Sequence, residues 1–143
     1  MADLVKPSEI AFGDDWKPDE IALLIYATSC MTMADGQLGD DEVQAVREIL
    51  NNISSKYPKA VMDLAAFYFA SNEISELLDE ARPEKREKIF DIATYLAELS
   101  DVSNDERIVL FRLRKRLGLT PGSTHDEHYP NKEALQSKLA ATA

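Results

Sequence analysis

Cysteine occurs once, at Cys30, so no intrachain disulfide can form, and this usage fits a reducing compartment. Glycine (five) and proline (six) are scarce in 143 residues. No glycine-rich phosphate cradle is visible, and no nucleophile motif accompanies the two histidines. Basic residues are outnumbered, 16 against 26 acidic ones, giving a formal net charge of -10 and a pI of about 4.6. Nucleic-acid binders carry a basic footprint, so no nucleic-acid partner is expected. The acidity suits cations, basic partners or plain solubility. The most apolar run, Ile21 to Ala34, falls short of the roughly 20 residues a span needs and contains Thr28, Ser29 and Thr32. No transmembrane segment is expected. Met1 to Phe12 has no basic start followed by an apolar stretch, which predicts no signal peptide and a cytoplasmic location.

Periodic apolar runs remain, with 45% hydrophobic and 29% charged residues. They predict an all-α fold, a compact helical domain of about six to seven helices around one core. Residues 1–16 read as an N-terminal arm held down by Phe12 and Trp16, residues 17–120 as the helical domain, and residues 121–143 as a C-terminal tail with a short helix. Pro18 suits the first position of a helix, with Asp19 and Glu20 at its positive end. That helix is apolar on nearly every side to about Ala34, which predicts a central, buried element. Val43, Val46, Ile49, Leu50 and Ile53 form the stripe of a second helix starting near Asp40. A third is expected over Lys59 to Ala70, and a shorter one over Asn72 to Ala81 with Ser71 as its N-cap. Pro83 opens the next, to about Leu99. Ser103 opens a last one, stopped at Gly118 with Pro121 beyond.

An internal repeat spans these elements. "ADGQLGDDE" (34–42) aligns with "ELSDVSNDE" (98–106) at an offset of 64 residues, which superposes Asp41 on Asp105 and Glu42 on Glu106. A long apolar helix precedes each copy and an amphipathic one follows. Two pseudo-symmetric helix–turn–helix halves are expected.

Both copies are acidic turns, and their chemistry has two readings. An EF-hand loop with Gly36 at its sixth place would put Met31 and Met33 where oxygen ligands belong, which excludes that motif. "SNDE" (103–106) is a capping box, in which the Ser103 oxygen accepts from a free amide and Glu106 reaches back. "GDDE" (39–42) is the same device with Gly39 at the cap. Capping accounts for Glu42, Glu106 and the neighbouring aspartates, but not for Glu98 and Asp101.

"MADGQLGDDE" after an apolar helix resembles the first motif of the TerB-like (tellurite-resistance) family. "ELSDVSNDERIVLFRLRKRLGL" resembles the second, and the likeness runs from about Ile21 to Leu119. The resemblance implies an all-α domain of two halves that binds divalent cations through its acids. It also implies work within stress-linked protein assemblies, and it leaves peripheral membrane association open. Carried over by position, the metal candidates are Asp35, Asp41 and Glu42 in the first half and Asp105 and Glu106 in the second. Oxygen-only ligands point to calcium, magnesium or manganese. Leu99-Ser100 stands where Asp-Gly belongs, so the second turn departs from the pattern.

Other motifs read more plainly. "HDEH" (125–128) has zinc or nickel spacing but sits between Pro121 and Pro130, so a solvated loop is expected. "RLRKR" (112–116) complements a helix C-terminus or meets an anionic partner. Cys30 is expected to be a buried small hydrophobe, and Phe67, Tyr68 and Phe69 are expected in the core. The functional expectation is a non-enzymatic helical module that binds divalent cations, scaffolds an assembly with a protein partner, or does both. The alternatives are a small metal-dependent hydrolase using clustered carboxylates and a purely structural adaptor.

Overall fold

A computed structural model describes residues 6–13, 15–33, 40–98 and 104–119, the side chains of 40–42 and 104 excepted. Among the described residues six α-helices follow a short 3₁₀ turn at Pro7–Glu9: α1 Pro18–Thr32, α2 Asp40–Ser54, α3 Lys59–Ser71, α4 Ile74–Glu80, α5 Pro83–Glu98 and α6 Asn104–Arg116. No strand occurs among the described residues.

The core is built on α1 and α5. Apolar residues cover most of the α1 surface, and Ile21 through Leu24, Ala27 and Met31 are buried. On α5 every residue from Lys88 to Ala97 is buried. A helix closed off on all sides belongs at the centre of a bundle. The other helices are amphipathic and cover this pair. On α2 the inward positions are Ala45, Ile49 and Ile53, a spacing of one turn plus a fraction.

One tertiary contact sets the directions of the central helices. Glu20, in the first turn of α1, is bonded to Arg82, the residue before α5. The helices therefore start at the same end and pack alongside one another. Each is about 22–24 Å long at 1.5 Å per residue, so both finish at the opposite pole. Their outer partners run back. Asn52, near the end of α2, donates to the carbonyls of Pro7 and Ile10, and the Tyr57 hydroxyl accepts from the Trp16 amide. The end of α6 lies over the start of α5, where Gly118 approaches the Arg86 guanidinium.

The segment before α1 is part of the same core. Ile10, Phe12 and Trp16 are buried. The Phe12 and Trp16 rings meet edge to face at 5.5 Å, and the Trp16 indole N–H donates to the Phe12 carbonyl. The Lys85 ammonium covers the outer Trp16 face 5.0 Å from the centroid and pairs with Asp15 at 2.9 Å.

Three sequence-based expectations need correction. Ser71 closes α3 rather than capping α4, which begins at Ile74 behind Glu73. Phe67 is 60% exposed and Phe69 is also exposed, so these two are not core, whereas Tyr68 is half-buried and packs against it. The reason is helical phase. Val61, Ala65 and Tyr68 point at α1, which turns Phe67 and Phe69 to the sides. Cys30, the third, is half-buried rather than enclosed.

Candidate functional site

In sequence the acidic turns follow Thr32 and Glu98, the last residues of α1 and α5, whose ends lie remote from the Glu20–Arg82 contact. Of the residues proposed as metal ligands, Asp35 lies outside the described residues. Asp41 and Glu42 belong to the first turn of α2, and their side chains also lie outside the description. Asp105 and Glu106 occupy the first turn of α6, where acids complement the helix dipole. Their environments differ: Asp105 is exposed to solvent, whereas Glu106 is 2% exposed. Asp40 and Asn104 open α2 and α6 at the offset of the repeat, and the buried pairs Ile49/Leu113 and Ile53/Leu117 keep it. Among the described residues no three His, Cys, Asp or Glu side chains come together to hold a metal ion.

The opposite pole is held by a described charge network. The Glu20 carboxylate accepts the Lys17 amide at 2.8 Å, the Arg82 amide at 2.9 Å and two guanidinium N–H groups of Arg82. Burial alone would raise the Glu20 pKa, but the bonds from Arg82 and the two amides outweigh it and hold the carboxyl below its usual range. Asp15 is likewise lowered, first by its bond to Lys85 and then by Arg82. Asp19 beside them is raised, by burial and by the nearby Glu80. This cluster is saturated with internal bonds and suits architecture rather than ligand capture.

A third feature lies between the second half of α1 and α6. Tyr26, Cys30 and Met33 face Val109, Arg112, Leu113 and Arg116 across a cavity of about 270 Å³. Arg116 donates to the Tyr26 hydroxyl at 3.2 Å. Burial first, and the neighbouring Cys30 next, raise the Tyr26 pKa. Sequence reasoning missed this cavity because its lining comes from two distant segments. The visible signal was a thiol and a tyrosine one turn apart on α1.

The basic cluster sits in the last turn of α6, as the helix dipole favours. Gly118 has φ 71°, and beyond it the Leu119 amide bonds the Arg114 carbonyl while the Gly118 amide bonds that of Lys115. This is a Schellman stop, which requires a left-handed residue where glycine stands. No helix among the described residues is long and apolar enough to cross a membrane. Comparison with protein-family models, curated proteins and solved structures finds no match.

Proposed function

We propose that the chain is a non-enzymatic helical module of TerB-like character. It binds a divalent cation at the pole where its acidic interhelical turns leave, and it scaffolds a protein assembly in the cytoplasm. One observation carries the reading: α1 and α5 start together at Glu20 and Arg82. Two helices of similar length that share a starting end also finish at one pole, and in this reading the acidic segments that follow them in sequence work there. Carboxylates from both halves of the repeat can then act on one region of space. Exposed apolar side chains on α3 (Leu64, Phe67, Phe69) and α6 (Ile108, Phe111) supply surface for a protein partner.

In this reading Asp35, Asp41 and Glu42 are the main ligands, and Asp105 and Glu106 contribute from the second turn. Oxygen donors favour calcium, magnesium or manganese. Calorimetric titration with each ion tests it, combined with thermal melts of the wild type and an Asp35→Asn, Glu42→Gln variant. The wild type should give binding heat and a higher melting temperature. The variant should keep its helicity and lose both responses. If millimolar calcium, magnesium and manganese all leave heat and melt unchanged, the cation reading fails.

A further inference from the structure

We propose that the cavity between α1 and α6 is a binding site for a small amphipathic carboxylate, with the anionic head at Arg112 and Arg116 and the apolar body against Met33, Val109 and Leu113. The charge of the lining selects the sign of the ligand. In a chain of net charge -10, the described residues that line this cavity include two guanidinium groups and no carboxylate. Guanidinium groups grip carboxylates through paired N–H donors, and the grip strengthens beside apolar walls.

Tyr26 adds a third polar group. Its oxygen accepts from Arg116 and its hydroxyl also bonds with Cys30, which fixes it as a polar point beside the guanidinium groups. Burial, and then Cys30, raise its pKa above the ordinary phenol value. A few polar donors set among aliphatic walls form a pattern typical of small-molecule sites. The volume of about 270 Å³ sits just under the usual range for drug-sized ligands, which limits the guest to a short chain or a single ring. Met33 is 71% exposed at the rim, and an unbranched thioether can fold over guests of different shape. The inference does not depend on cation binding: it rests on the described lining, of which neither Asp105 nor Glu106 is part.

The sole cysteine makes the cavity measurable, since Cys30 lines it and is half-buried. Alkylation of Cys30 by neutral iodoacetamide would be followed by mass spectrometry with and without submicellar decanoate, decanol or decyltrimethylammonium. Decanoate should slow the reaction severalfold, decanol distinctly less, and the cation not at all. Arg112→Gln and Arg116→Gln, each read as its own ratio with and without decanoate, should weaken protection about tenfold. Their circular dichroism should match the wild type. Equal protection by all three head groups, or none by decanoate, would overturn the proposal. So would protection by phosphatidylglycerol vesicles but not by monomeric decanoate, which would make the face a membrane contact. The head-group contrast uses the unaltered protein and stays decisive whatever the variants do.

Discussion

The carboxylate of Glu20 accepts the backbone amide of Arg82 and two of its guanidinium N–H groups, and it also accepts the amide of Lys17. Lys17 is the N-cap of α1, and Arg82 stands in the same place for α5, its carbonyl taking the first bonds of that helix. One buried side chain thus satisfies the free cap amides of both central helices. It also places a negative charge where two positive dipole ends converge. Glu20→Ala leaves those amides and a partly buried guanidinium without their acceptor. It should cost roughly 2–3 kcal/mol, with Arg82 discounted for its partial exposure. Urea melts would measure the loss, and a change under 1 kcal/mol would mean that water replaces the carboxylate.

The same contact sets the acid limb of stability. The folded-state pKa of Glu20 is lowered, as is that of Asp15. A lowered carboxylate contributes stability that is fully present above its unfolded value and is lost as pH falls through the folded one. Asp19, raised, acts in the opposite direction over part of that range. Melting temperature should therefore drop steeply below the ordinary glutamate pKa of about 4.3. Glu20→Gln should start lower and fall less. Parallel acid limbs in the two proteins would remove Glu20 from this role.

Tyr95 governs the alkaline side. It is fully buried on α5, and burial, assisted by Glu48 and Glu9, pushes its phenol up to about 12. In the unfolded chain it ionises near 10, so the folded state holds its proton longer. Stability is complete below the unfolded value and lost as pH rises from there through about 12, by roughly 3 kcal/mol in total. Tyr95→Phe should flatten that limb in urea melts taken between neutral and strongly alkaline pH. An unchanged limb would place the alkaline loss elsewhere.

Gly118 ends α6 with φ 71°. A Cβ there would meet the Arg86 guanidinium at 3.3 Å, the mobile end of a long side chain that can yield. The cost of Gly118→Ala is therefore conformational, about 1–2 kcal/mol for a left-handed alanine. Gly118→Asn should cost less, since asparagine tolerates that region. Equal losses would show that the steric contact decides.

Helices α1, α2, α3, α5 and α6 were legible because each carries a full apolar period bounded by proline, glycine or capping residues. The start of α4 was not, because Ser71 and Asn72 both suit a cap, whereas Glu73, which stands at the N-cap position, makes no side-chain cap bond. The outward turn of Phe67 and Phe69 was also hidden. Apolar density reports that a helix packs, whereas its phase against α1 depends on the partner. The exposure of Asp105 was foreseeable from its first-turn position, but the burial of Glu106 follows from how α6 rotates onto the core. The α1–α6 cavity is tertiary throughout: Arg116 touches Tyr26 across 90 residues of chain.

Capping and cation binding at the acidic pole can be separated by which residues matter and when. Asn104 is the first residue of α6, so Ser103 precedes it directly, and Glu106 is its third residue. A capping box needs a hydroxyl at the first of these places and a side-chain acceptor at the last, and it works without metal. Ser103→Ala should destabilise the protein by about 1 kcal/mol, equally with chelator and with saturating calcium. Glu106→Gln should nearly preserve stability, since an amide oxygen also reaches back to the cap amide. Glu106→Ala should not, because it removes the acceptor and leaves a void at a residue only 2% exposed. A cation ligand behaves differently, since glutamine would abolish its contribution and the loss would appear only when metal is present. Melts of the three variants in chelator and in calcium therefore sort the second turn into one role. If Glu106→Gln matches wild type in chelator but loses the calcium-dependent rise, Glu106 serves the ion. If the two proteins melt together in both, it serves the helix, and any cation is held by the first turn alone.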